Sequence, residues 1–194
     1  ESAYLSGNFE EMERLASVVL QQARTVLDKV KVYEVKIRAY IAQSRQLEAV
    51  RTALYVLKLL GVVFPEKPDP SDIMHGLQET QLALAGKQKG ELLVLPEMTD
   101  PYKLAAMRIL TNTINATYVA VTELMSLITF KMTNLSVNYG YTSMSAHAYA
   151  SYGLILCGDV GDIEAGYRFG QLALFLLDRF NAKELKPRTL MVVN

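Results

Sequence analysis

Apolar side chains recur along the chain at spacings of three and four. Met12, Leu15, Ala16, Val19, Ala23, Val26 and Leu27 therefore fall on one face of a helix, with polar residues on the other. The same period predicts helices over 9–27, 29–43, 46–60, 72–85, 101–113, 122–138, 144–157 and 162–180, and no segment requires a strand. Four starts carry cap chemistry. Asn8 precedes the first helix, with Glu11 placed to reach back as in a capping box. Ser44 stands before the third, although its acid, Glu48, lies one residue too far for the box. Asp100 is followed by Pro101, whose fixed φ suits a first helical position. Asp162 precedes Ile163.

Three stretches interrupt the helical pattern. Closely spaced prolines from Pro65 to Pro70 exclude helix and favour an extended linker inside the chain. Gly86 to Pro96 is a second break, with a short helical turn expected over Glu91 to Leu95. Asn112 to Val121, rich in Thr, Asn and Val, is a third weak zone.

Repetition organises what remains. Gly7-Asn8-Phe9-Glu10-Glu11, Arg45-Gln46-Leu47-Glu48-Ala49 and Gly161-Asp162-Ile163-Glu164-Ala165 each join a polar turn to an apolar, acidic helix opening. The interval from Leu47 to Ile163 is close to three times that from Phe9 to Leu47, as an array of helix pairs with a period slightly above about 34 residues requires. Tyr33, Tyr40 and Ala49 loosely match the aromatic and small positions of a tetratricopeptide repeat. Gly166, Gly170 and Ala173 form a stripe of small residues that lets a neighbouring helix approach closely. The expected architecture is all-α: a tetratricopeptide-like helix-pair array, a right-handed α-solenoid, forming one domain over 1–194 with the proline-rich linker 65–70 inside it.

The 194 residues are 51% apolar, and 20 Lys+Arg balance 20 Asp+Glu, so a sizeable core is expected and no net field draws the chain to nucleic acid or anionic membrane. The longest apolar runs are cut by Lys58 and Glu123, short of the roughly 18 to 20 residues of a membrane span. Cys157 is the lone cysteine, which excludes a disulfide scaffold. A leaderless start and this single thiol favour a cytoplasmic setting. The chain opens without Met and breaks off in an apolar run after Arg188, as expected of a segment excised from a longer protein.

Catalytic and metal motifs are weak. Gly86-Lys87-Gln88-Lys89-Gly90 lacks the strand, terminal Lys and hydroxyl of a phosphate loop and reads as a turn. His75 and His147 have no zinc-ligand spacing, and each is expected on a surface or in helix packing. Ser145-Ala146-His147 supplies two nucleophile-type residues without a nucleophile elbow. The run Asp159, Asp162, Glu164 is too short for a calcium loop and suits helix capping. Asn115-Ala116-Thr117 and Asn134-Leu135-Ser136 match a glycosylation pattern that requires secretion. No catalytic residue, cofactor or metal is therefore assigned. Two interaction candidates stand out. Lys31, Glu34 and Arg38 form a mixed-charge face that is either solvated or lines a concave surface against a peptide or an adjoining domain. Tyr139 and Tyr141 flank Gly140 and mark either a helix C-terminus or an aromatic partner patch.

Gly7 to Gln22 (GNFEEMERLASVVLQQ), Leu92 to Leu110 (LLVLPEMTDPYKLAAMRIL), Lys131 to Gly140 (KMTNLSVNYG) and Tyr152 to Leu174 (YGLILCGDVGDIEAGYRFGQLAL) together resemble a known family region. That region is the helical-repeat part of very large bacterial signalling proteins. These combine a serine/threonine kinase-like domain, a predicted AAA-type ATPase, a GAF domain and a sensor histidine kinase. The resemblance covers nearly the whole chain and departs from the family mainly over Asn112 to Glu123. It implies a non-catalytic module that couples a nucleotide-dependent ATPase switch to a kinase output, with the adjoining ATPase, GAF or kinase domains, or a peptide, as partners. It implies no kinase activity in this segment, and it makes Lys183 to Asn194 the start of a further helix. A homodimer through surface exposed by excision is a second mode of association, and a helical domain that senses a small-molecule inducer is the alternative function.

Overall fold

The computed structural model describes residues 2–87 and 90–193. Among these the chain is helical, without strands. The helices are α1 (Ser2–Leu5), α2 (Phe9–Gln22), α3 (Val26–Ala42), α4 (Gln46–Leu59), α5 (Pro70–Ala85), α6 (Glu91–Val94), α7 (Pro101–Ala120), α8 (Thr122–Tyr139), α9 (Ser145–Ile155), α10 (Ile163–Arg179) and α11 (Lys186–Val193). A π turn, Leu156–Val160, follows α9. No helix among the described residues is long and apolar enough to cross a membrane. Gln88 and Lys89, the centre of the Gly86–Gly90 turn, lie outside the described residues.

Local chemistry explains where helices begin, and it moves several expected boundaries. The helix expected over 9–27 stops at Gln22. Thr25 then opens α3 with a full capping box: its hydroxyl accepts from Asp28 N at 3.1 Å, and the Asp28 carboxylate accepts from Thr25 N at 2.9 Å. Asn8 caps α2 as expected, accepting from Glu11 N at 3.1 Å. The Glu11 carboxylate, however, turns to Arg14 at 2.7 Å, so the box is half formed. Ser44 is no cap. It sits in the left-handed region at φ 59°, and Arg45 takes the cap position, its side chain donating to the Glu48 carboxylate at 2.9 Å and capping no helix amide. The proline stretch ends earlier than expected, because Asp69 and Asp72 form a capping box and Pro70 occupies the first turn.

The third weak zone proves to be helix. In α7 the hydroxyls of Thr111, Thr113 and Thr117 donate to the carbonyl oxygens of Met107, Ile109 and Ile114 at 2.8, 2.7 and 2.7 Å. Each threonine is buried with its polar group satisfied, so packing overrides the low helix propensity of the sequence.

The chain divides into two compact units, each discontinuous in sequence: Glu1–Glu66 with Ala105–Met125, and Lys67–Leu104 with Ser126–Asn194. The first boundary falls inside the expected linker. In the first unit α3 packs against both α2 and α4, and α3 places Val30 and Ile37 in the interior while α4 adds Ala53, Val56 and Leu57. Ala105 to Ala116 of α7 complete that core with Met107, Ile109 and Leu110, all fully buried. An array stacked strictly in chain order would pair sequence neighbours alone, and α7 departs from that order by joining helices more than a repeat away.

In the second unit α9 is buried on almost every side. Its apolar residues show no amphipathic stripe because solvent meets little of it. Tyr149 lies edge-on to Tyr141 at 5.8 Å and stacks on Phe169 at 5.7 Å, and Leu172, Ala173 and Leu176 of α10 close the cluster. The small-residue stripe fulfils its packing role. A Cβ on Gly166 would strike the Cys157 sulfur and lie 2.7 Å from the Gly153 carbonyl oxygen, so α9 and α10 meet at a distance that admits glycine alone.

Candidate interaction surfaces

The three charged residues expected on one face of α3 have different fates. Glu34 is 8% exposed, and its carboxylate accepts from Arg108 Nε at 2.7 Å, tying α3 to α7 inside the first unit. It is therefore a structural ion-pair partner and not a solvent-facing contact. Arg38 donates from Nε to the Glu34 carbonyl oxygen at 3.4 Å, half buried along its own helix. Lys31 is exposed and makes no ion pair among the described residues. Its helical acidic neighbours are both committed elsewhere, Asp28 to the Thr25 cap and Glu34 to Arg108.

Lys31 stands at the rim of a cleft of about 220 Å³ formed by α1, α2 and α3. Met12 and Ala16 are its buried floor. Leu15 and Val19, half exposed, are one wall, and Val32 and Val35 are the other. On the far side of the same helix pair Glu13 collects Lys36 at 2.8 Å and the Tyr40 hydroxyl at 3.1 Å, an arrangement that draws the Tyr40 side chain out of water and raises its pKa mainly by burial.

The tyrosine pair also separates. Tyr139 ends α8 and is 47% exposed, with Lys103 Nζ 5.1 Å from its ring centroid. Tyr141 is 1% exposed and belongs to the core, so it offers no ring face to a partner. Its hydroxyl donates to the Leu92 carbonyl oxygen at 2.7 Å. Its amide donates to the Pro96 carbonyl oxygen at 2.8 Å, and its own carbonyl oxygen accepts from Met98 N at 2.9 Å. Gly140 makes this possible at φ 99°, where a Cβ would meet the Pro96 oxygen at 2.5 Å. Arg179 completes the anchorage, donating to the carbonyl oxygens of Leu95 at 2.9 Å and Leu93 at 3.4 Å. The 90–98 segment is thus fastened to the ends of α8 and α10.

Nothing in the described residues assembles a reaction centre from the weak motifs. The Ser145 hydroxyl lies 2.8 Å from that of Ser136 and accepts from Thr142 N at 3.0 Å, closing the turn into α9. His147 is 5% exposed inside the second unit, where burial and then the charge of Arg188 push its pKa down to about 4. His75 is exposed on α5. Asp162 caps α10 by accepting from Ala165 N at 2.9 Å, and no group of His, Cys, Asp and Glu among the described residues is placed to hold a metal. A second cleft, of about 460 Å³, lies between α9, α10 and α11, with Gly153, Cys157, Tyr167, Gln171 and Val192 among its lining.

Beside this geometry stands a similarity to a known protein. The chain resembles a signalling protein. Over an alignment of 199 positions that takes in 93% of the chain, it is 20% identical to the hybrid signal transduction histidine kinase G of Dictyostelium discoideum. It spans about 6% of that relative. No family model matches the chain, and no solved structure matches it.

Sequence reasoning singled out Lys31 but missed the cleft it borders. The signal was available in α2, whose apolar set Met12, Leu15, Ala16, Val18 and Val19 is wider than a single packed seam needs. The anchorage of 90–98 by Arg179 had no such signal, since its acceptors are backbone carbonyls distant in sequence.

Proposed function

We propose that this chain is a non-catalytic, cytoplasmic interaction module that couples a nucleotide-dependent ATPase switch to a kinase output within a larger signalling protein. It would do so through tetratricopeptide-like helix pairs stacked as a right-handed array, with α7 inserted out of chain order. The carrying observation is the similarity of nearly all of the chain to a small fraction of a hybrid histidine kinase. Neighbouring helix contacts α2 with α3, α3 with α4 and α9 with α10 support the helix-pair description. A structural use for Ser145 and a buried, neutral His147 support the absence of chemistry.

Calorimetric titration of the chain against an ATPase module of the family it resembles, with ATP and then ADP, tests the coupling. Affinity that differs between nucleotides is expected. Equal affinity reduces the chain to a passive scaffold, and no binding in either state removes the ATPase from its partners, leaving a peptide, another domain or a second copy. The 460 Å³ cleft favours a second reading, a small-molecule sensor, because its size is that of a ligand site. A metabolite thermal-shift screen with a hit that Tyr167→Ala abolishes would establish it.

A further inference from the structure

We infer that the cleft between α1, α2 and α3 receives an amphipathic helix of a protein partner that presents a carboxylate to Lys31. This rests on the interaction-module reading, and it is independent of any nucleotide control. The cleft combines a buried apolar floor, Met12 and Ala16, with half-exposed apolar walls, Leu15 and Val19 facing Val32 and Val35. Its one charged lining residue is Lys31. Both acids that helical spacing offers Lys31 are held by other groups, and no acid among the described residues pairs with it, so its ammonium can meet an acid from outside. A carboxylate at the rim of an apolar groove is the complement of that pattern, serving specificity and register while the apolar floor supplies the affinity.

The shape selects a helix over a small acid. Apolar surface continues past the cleft at Val18, 41% exposed and one turn beyond Leu15 on the same helix. An acyl chain inside about 220 Å³ would leave that side chain in water. A helix laid along α2, whose 14 residues span about 21 Å, covers it.

The probe is a fluorescein-labelled synthetic amphipathic helix of about four turns, with leucines at i, i+3, i+4 and i+7 and glutamates on both flanks of the leucine stripe. A partner version carries lysines in place of the glutamates. Fluorescence anisotropy with the full chain is expected to show saturable binding of the glutamate peptide. Lys31→Glu should weaken it by about fivefold or more and reverse the preference toward the lysine peptide. Val19→Asp should abolish binding of both, with circular dichroism confirming that the fold is retained. No saturable binding, or binding indifferent to the charge at position 31, overturns the inference. Octanoate binding with the same Lys31 dependence while the peptide fails to bind also overturns it, in favour of a site for acyl carboxylates. The ATPase titration is unaffected by any of these outcomes, so failure here and failure of the coupling reading are distinguishable.

Discussion

Two buried ionisable residues, Glu34 and His147, have opposite surroundings. Glu34 in the first unit has an ion-pair partner, Arg108 at 2.7 Å, whose guanidinium is still partly in water. His147 in the second unit has no acid at hand, and its Nδ1 is buried with no hydrogen-bond partner among the described residues. Burial therefore disfavours the imidazolium, and the positive Arg188 adds to the effect, bringing the pKa from 6.5 to about 4. An unfolded chain binds the proton at a pH where the folded chain refuses it. Stability from the neutral ring is complete above pH 6.5 and is lost as pH falls toward 4, by about 3 kcal/mol for this shift. Urea unfolding between pH 7.5 and 4 should accordingly show a steeper fall for the parent than for His147→Gln. Parallel slopes would assign the acid sensitivity to other groups.

At the scale of elements, caps and glycines set what the periodicity leaves open. The break between α2 and α3 comes from the Thr25–Asp28 box, not from a loss of apolar pattern, since Ala23 and Val26 continue it. The α9–α10 contact depends on Gly153 and Gly166, whose backbones approach where side chains cannot fit. Gly166→Ala should lower stability by about 2 kcal/mol through overpacking against Cys157 and the Gly153 carbonyl. Gly158→Ala in the π turn, where a Cβ meets open space, should be close to neutral and serves as the control. Thermal unfolding of the two variants reads the difference directly, and equal melting temperatures would refute the close approach.

For the whole molecule, burial is distributed unevenly, and so is the cost of local opening. Most of α7 between Ala105 and Thr117 and most of α9 lie inside their units, whereas α1 has no buried residue and α11 buries Thr189 alone among the described residues. Native-state hydrogen exchange should therefore be slowest in α7 and α9, by about two orders of magnitude relative to α1 and α11. Uniform protection along the chain would contradict that distribution.

What could be read from residue order was whatever depends on neighbours within a few positions. The helical period located eight helices, Asn8, Asp100 and Asp162 marked their starts, and Gly166 with Gly170 announced close packing. Thr25 and Asp69 carried equally local cap chemistry that pattern reasoning passed over. The remainder required partners distant in sequence. Whether a threonine-rich stretch stays helical, whether Glu34 faces water or Arg108, and whether Tyr141 is surface or core are settled by helices that meet from elsewhere in the chain. Burial is a property of those meetings, and periodicity states which face turns inward without saying what it turns toward. Lys31 illustrates the division: sequence placed it on a charged face of α3, and tertiary structure set it at the edge of an apolar cleft.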